Sequence, residues 1–84
     1  MVIAAAIKDH DGTVYSIPAP ARHYHIIRLM VDKGIKTPIT GEQGFLLSDG
    51  RFVDRVEAAK IALSCRQCKA LKFNSTHLFS EDLW

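Results

Sequence analysis

The chain has 84 residues, of which 48% are hydrophobic and 24% are charged, and its formal net charge at pH 7 is +2. This length provides one hydrophobic core and no second domain, and the mixed charges argue against a disordered chain. Two cysteines are too few for a disulfide framework, and no apolar run is long enough to span a membrane. We therefore expect one soluble cytoplasmic domain over residues 1–84, without membrane contact and with a thin margin of stability.

The first elements in the chain predict a β-hairpin. Residues 2–8 form an apolar run that is typical of a strand, and residues 13–17 alternate and are rich in strand-forming residues. Between them, Asp11-Gly12 is a strong signal for a tight hairpin turn.

A helix is predicted after this hairpin. Pro18 and Pro20 end the second strand and suit a helix start, and helical periodicity then extends over residues 21–33. Gly34 is suited to the left-handed position that follows a helix. The predicted inner face of the helix consists of His23, Ile26, Ile27 and Met30.

The second half of the chain repeats this plan. A loop is expected at 36–43, followed by short strands at 44–47 and 51–53 around a second Asp-Gly turn at 49–50. The chain therefore predicts an α+β fold of two hairpin-plus-helix units, in the order ββαββα, with a small antiparallel or mixed sheet under the helices.

The second helix is predicted at 55–65. Asp54 is a good N-cap residue, and Glu57 follows it at the spacing of a capping box. The small residues on one face would let this helix lie close to a sheet, and that face consists of Ala58, Ile61, Ala62 and Cys65.

The C-terminal segment, residues 74–84, is predicted to dock on the domain. A short strand is expected before it, at 71–73. The last seven residues include Leu78, Phe79, Leu83 and Trp84, which are too apolar to stay in water. A single helical turn is expected to start at Ser80.

Several stretches of the chain resemble a group of small bacteriophage and prophage proteins. The stretches that carry the resemblance are Gly41–Phe45, Ser48–Arg55, Glu57–Ala62 and Leu78–Trp84. The resemblance is close over residues 40–84 and looser before them, and it departs from the group at 65–68, where a glycine-containing helix end is expected. It implies a cytoplasmic accessory protein of phage or prophage type, and it brings no activity with it.

Cys65-x-x-Cys68 is the pattern closest to known site chemistry. A redox pair needs a stabilised thiolate, but Cys65 is predicted at a helix C-terminus, where the helix dipole opposes the charge. Zinc needs four ligands, and only His77 lies nearby in sequence; the other histidines are His10, His23 and His25. We therefore predict two ordinary thiols with Cys65 in the core, no metal and no cofactor. Since no nucleophile has an evident base and no carboxylates are paired on a helix, we predict that the protein is not an enzyme.

Three binding functions remain open. The first is binding of a host or phage protein, or of a second copy as a homodimer, because tryptophan and arginine are enriched at interfaces. The second is nucleic-acid binding through residues 51–72, which carry six cations against two carboxylates. The third is binding of a small anionic ligand by Arg51 and Arg55, near the loop that contains Glu42 and Gln43. The candidate binding residues are Glu42, Gln43, Arg51, Arg55 and Trp84.

Overall fold

The computed structural model describes residues 1–36 and 39–84. Its order of elements confirms the α+β class and the ββαββα prediction. The four strands are Val2–Lys8 (β1), Val14–Pro18 (β2), Glu42–Leu47 (β3) and Phe52–Asp54 (β4), the two helices are His23–Asp32 (α1) and Arg55–Ser64 (α2), and a 3-10 helix spans Ser80–Asp82.

Two sequence predictions about irregular segments were wrong in part. The predicted loop at 36–43 ends earlier than expected, because Glu42 and Gln43 already pair with β1 as the start of β3. Residues 37–38 of that predicted loop lie outside the described residues. The predicted strand at 71–73 does not form; these residues are irregular and lie beside α2.

The strands form one antiparallel sheet in the order β2-β1-β3-β4. The chain places β1 between β2 and β3, so the first strand pairs with both halves of the molecule. Ala5 in β1 lies opposite Ile17 on one side and Phe45 on the other. A β-bulge at Ile3 shifts the register between β1 and β3 near the start of the chain.

The core lies between one face of this sheet and the two helices. Because side chains alternate along a strand, the register puts every second residue of each strand on that face. The strand residues of this face are Val2, Ala5, Ile7, Tyr15, Ile17, Gln43, Phe45, Leu47 and Val53, and all but Gln43 belong to the core or pack against it. On the opposite face, the ring of Phe52 lies over Gly44, where a Cβ would collide with that ring and with the carbonyl of Val53.

The predicted inner face of α1 is confirmed, since His23, Ile26 and Met30 are buried. The helix ends in a Schellman motif: Gly34 has a φ of 86°, and the N–H of Ile35 donates to the carbonyl of Met30 at 3.0 Å. His23 also holds the sheet, because its Nε2–H donates to the carbonyl of Gly44 at 2.7 Å. Its ring meets Phe45 edge to face, with centroids 5.0 Å apart.

Asp54 caps α2 as predicted, with its carboxylate accepting from the N–H of Glu57 at 2.8 Å. The prediction that Cys65 lies in the core was wrong: Cys65 is exposed, and Cys68 is buried instead. Cys65 is the C-cap residue of α2, and Arg66, whose φ is 62°, turns the chain back directly after it. The N–H of the next residue, Gln67, then bonds to the carbonyl of Ala62 at 2.8 Å, which carries Cys68 toward the core.

The side chain of Gln67 joins this helix end to the first strand. Its Nε2–H donates to the carbonyl of Val2 at 2.7 Å, and its Oε1 accepts from the N–H of Val2 at 2.5 Å. The Gln67 amide thus bonds to both backbone groups of Val2 in β1, as a neighbouring strand would. Among the described residues, no helix is long and apolar enough to cross a membrane.

We predict that Arg66→Gly stabilises the protein. A non-glycine residue in the left-handed region costs about 1–2 kcal/mol, whereas glycine costs about 0.5–1 kcal/mol through its greater freedom in the unfolded chain. We therefore expect the free energy of unfolding to rise by about 0.5–1 kcal/mol in urea denaturation. Ser64→Gly, within α2, is the control and should destabilise by a similar amount. A less stable Arg66→Gly would contradict this account of the helix end.

We also predict that His23 makes stability depend on pH. Burial, opposed by the hydrogen bond to Gly44 and assisted by the charge of Arg55, lowers the pKa of His23 below its usual value of 6.5. The unfolded chain therefore binds a proton more readily than the folded one, and stability should be lost as the pH falls below about 6.5.

Two variants test this origin of the pH dependence. His23→Gln keeps a donor for Gly44 but does not titrate, and His23→Phe neither donates nor titrates. Urea denaturation between pH 7.5 and 5.5 should give a flatter pH dependence for both variants than for wild type, with His23→Phe less stable throughout. A wild-type slope in both variants would show that another group is responsible.

Candidate functional surfaces

The structure does not bring the five predicted binding residues into one site. Arg51 lies in the exposed β3–β4 turn, where its Nε donates to Asp49 at 2.8 Å. Glu42 is exposed at the start of β3 and points to the face of the sheet opposite the helices. Gln43, on the helix side of the same strand, is brought to Arg55, whose Nη2 donates to Gln43 Oε1 at 2.6 Å.

Arg55 is an internal joint between β3, α2 and the C-terminal segment. It is half-buried, and its Nη1 donates to the carbonyl of Leu78 at 2.7 Å. In return, the N–H of Leu78 donates to the carbonyl of Arg55 at 3.0 Å. The guanidinium also lies 4.6 Å from the centroid of the Phe79 ring, within the range of a cation–π contact. Burial lowers the pKa of Arg55, while the negative charge of Glu81 acts in the opposite direction.

Trp84 is held by the body of the protein. Its Nε1–H donates to the carbonyl of Ala21 at 3.0 Å, and its half-buried ring packs against the core together with Leu83. Leu78 is fully buried. The C-terminal segment therefore lies along the domain, and its apolar residues Leu78, Leu83 and Trp84 are packed against the core.

The helical turn expected at Ser80 is present as the 3-10 helix, and Asp82 organises it. One carboxylate oxygen of Asp82 accepts from the N–H of Phe79 at 2.9 Å, and the other accepts from the N–H of Lys72 at 2.8 Å. Asp82 is itself buried. This carboxylate thus ties the end of the chain to the segment that follows α2.

Sequence reasoning missed a polar cluster formed by Arg22, Ser80 and Glu81. The Nη1 of Arg22 lies 3.4 Å from Ser80 Oγ and 3.5 Å from Glu81 Oε1. The hydrogen bond from Ser80, and then the charges of Arg22 and His23, lower the pKa of Glu81. Arg22 and Ser80 are 58 residues apart, and no local pattern in the sequence signals that they meet.

The basic stretch at 51–72 divides into internal and exposed residues. Arg55 is used inside the molecule, and Arg51 pairs with its own turn. The exposed cations of the remainder are Lys60, Arg66, Lys69 and Lys72. These residues surround the outer side of α2 and the segment that follows it.

A groove lies between the outer side of α2 and the segment at 71–76. Its volume is about 230 Å³, and it is lined by Val56, Ala59, Lys60, Leu63, Leu71, Ser75 and Thr76. We call it the α2 groove. Leu63 is 40% exposed, and Phe73 of the same segment is 64% exposed. The groove therefore presents apolar surface to solvent beside the side chain of Lys60.

Within residues 1–36 and 39–84, no three histidine, cysteine, aspartate or glutamate side chains are grouped so as to hold a metal ion. The two thiols differ in their surroundings. Cys65 is exposed, whereas burial raises the pKa of Cys68. Cys68 is therefore held in the thiol form that suits a packing role.

Comparison with known protein families gives a match over the chain. A family model described as phage T4 y16D protein matches residues 1–84. Neither the curated proteins nor the solved structures give a match. The matched range includes the N-terminal hairpin and α1 as well as the second half of the chain.

Proposed function

We propose that the chain, which belongs to the phage T4 y16D protein family, is a non-enzymatic phage accessory protein. We propose that it binds a protein partner through the α2 groove. The partner segment we propose carries apolar side chains flanked by acidic residues and comes from a host or phage protein. The observation that carries the proposal is the exposed apolar side of α2 beside Lys60, in a stretch of the chain that carries three further exposed cations.

The first support comes from the distribution of apolar residues around α2. One side of the helix packs on the sheet through Ala58, Ala59 and Ala62. Val56 and Leu63 lie on the groove side, so the helix is apolar on both sides. An apolar face of a helix is normally packed against another part of the protein. The segment at 71–76 covers this second side only in part, which leaves apolar surface for a partner.

The size of the groove favours a side chain over a cofactor. Pockets for small organic ligands and cofactors have volumes of about 300–1,000 Å³, and the α2 groove has about 230 Å³. One or two apolar side chains of a partner fit this space. Exposed apolar residues beside it, Leu63 and Phe73, would extend the contact.

Charge defines the chemistry of the partner. Residues 56–76 contain Glu57 as their one carboxylate, against the four exposed cations Lys60, Arg66, Lys69 and Lys72. Complementary charge speeds association and selects among partners. An acidic segment therefore suits this surface better than a basic or neutral one.

The absence of enzymatic activity and the cytoplasmic location are also parts of this proposal. His23 is engaged with a backbone carbonyl, and Arg55 and Gln43 are engaged with each other, so these groups serve the fold. The two cysteines are free, and one of them is exposed. Free thiols suit a reducing compartment such as the host cytoplasm.

Nucleic acid is a second candidate partner, and Phe73 favours it. Its ring is 64% exposed in a stretch that also carries Lys69 and Lys72. Exposed aromatic rings beside lysines are the platform on which single-stranded bases stack. Such binding should weaken steeply as salt rises, and Phe73→Ala should reduce it.

A pair of matched variants tests the protein-binding proposal. Leu63→Glu places a carboxylate at the groove, and Val31→Glu places one on α1 at a residue of similar exposure, 42% against 40%. Affinity capture from nuclease-treated lysate of infected cells should recover the same acidic protein with wild type and with Val31→Glu. Leu63→Glu should lose at least about tenfold of the binding, because it removes apolar contact and repels an acidic partner.

Other outcomes of the capture would contradict the proposal. Equal capture by both variants would show that the groove is not the interface. Capture that disappears after nuclease treatment would favour nucleic acid. Light scattering of the purified protein completes the test: a wild-type dimer that Leu63→Glu converts to a monomer would make a second copy the occupant of the groove. Circular dichroism of each variant confirms that it folds.

A further inference from the structure

Two arginines from different helices hold the same part of the C-terminal segment. Arg22 occupies the N-cap position of α1, and Arg55 is the first residue of α2. Arg22 contacts Ser80 and Glu81, whereas Arg55 binds the carbonyl of Leu78. We call Arg22, Arg55 and Ser80 the arginine clamp. Glu81 is the carboxylate that lies in it.

The contacts of Glu81 in the clamp are loose on the arginine side. A charge-assisted hydrogen bond between arginine and carboxylate is about 2.7–2.9 Å long, but Arg22 Nη1 lies 3.5 Å from Glu81 Oε1. The firm bond is from Ser80 Oγ to the same oxygen, at 2.8 Å. The Arg22 side chain is only 27% exposed, while that of Glu81 is 52% exposed. A mostly buried cation thus faces a carboxylate that solvent can reach.

The charge balance in the clamp is incomplete. The charge of Glu81 acts on Arg22, on Arg55 and on His23, so one carboxylate serves two permanent cations. Arg55 meets uncharged acceptors, the oxygens of Gln43 and Leu78. Arginine side chains bind carboxylate and phosphate oxygens with matching geometry. An incoming oxyanion would therefore find donors at Arg22 and Ser80, and unbalanced positive charge from the nearby Arg55.

We propose that the arginine clamp is an oxyanion-binding site that the chain closes with its own Glu81. The ligand is the phosphate or carboxylate group of a small molecule, which takes the place of the Glu81 carboxylate beside Arg22 and Ser80, while Arg55 adds positive charge nearby. Its binding releases Glu81 to solvent and loosens the segment that ends at Trp84. This site is separate from the α2 groove and does not depend on what the groove binds.

The test removes the internal competitor. Glu81→Gln keeps the size of the side chain but not its charge, so the clamp should bind added oxyanions more tightly than in wild type. At equal ionic strength, sodium phosphate, sodium acetate and sodium chloride are compared by their effect on Tm. We expect phosphate, acetate or both to raise the Tm of Glu81→Gln by about 6–11 °C over chloride at ten times Kd. A rise with phosphate alone identifies a phosphate site, and a rise with acetate identifies a carboxylate site.

Matched variants separate binding from general salt effects. Glu57→Gln removes an exposed carboxylate from α2 and should respond to each salt like wild type, which includes the general stabilisation that phosphate gives to folded proteins. The double variant Glu81→Gln with Arg22→Gln should lose the extra response of Glu81→Gln.

A second measurement does not rely on stability. Broadening of the phosphate resonance in ³¹P NMR should be stronger with Glu81→Gln than with Glu57→Gln, and emission of Trp84, the single tryptophan, should change when phosphate is added to wild type. Equal Tm responses and equal broadening in Glu81→Gln and Glu57→Gln would overturn the proposal. An extra Tm response that survives Arg22→Gln would overturn it as well.

Discussion

The reciprocal bonding of Arg55 and Leu78 decides how the second half of the molecule is arranged. The backbone of Arg55 accepts from Leu78, and its guanidinium donates back to the Leu78 carbonyl. These two bonds set the place where the chain returns to α2, with Leu78 fully buried beneath. Hydrogen bonds from a charged donor are stronger than average. The bond from Arg55 to the carbonyl of Leu78 therefore stabilises this joint between α2 and the C-terminal segment.

Both surfaces proposed for binding follow from that joint. The chain between the end of α2 and Leu78 must cross the outer side of the helix, and it covers that side only partly, which leaves the α2 groove. After Leu78, the chain continues along the beginning of α1. The 3-10 helix therefore places Glu81 beside Arg22, and Trp84 reaches the carbonyl of Ala21.

The small size of the domain explains why it uses its polar residues so fully. A chain of 84 residues has a small core. Alanines of β1 and α2 form much of the contact between the sheet and this helix. Side chains such as Gln67 and Asp82 add hydrogen bonds to backbone groups that no strand or helix pairs. Within the described residues, no buried side-chain nitrogen or oxygen is without a hydrogen-bond partner. Hydrogen bonds from buried polar side chains thus add to apolar burial in holding the segments that follow α2.

The α+β class, both hairpins, both helices and the cap at Asp54 could be predicted from the sequence, because Asp-Gly turns, N-caps and helical periodicity act over a few neighbouring residues. The burial of Cys68 could not be predicted, because Arg66 adopts a left-handed conformation, and a single residue of that kind redirects the chain that follows it. The sequence predicts that Trp84 docks with the C-terminal segment, but it does not predict that Gln43 and Arg55 bond to each other inside the fold. Arg22 and Glu81, like Val2 and Gln67, are brought together from opposite ends of the chain. Only the packing of α1, α2 and the C-terminal segment on the sheet decides such pairs, because no property of either residue alone specifies the other.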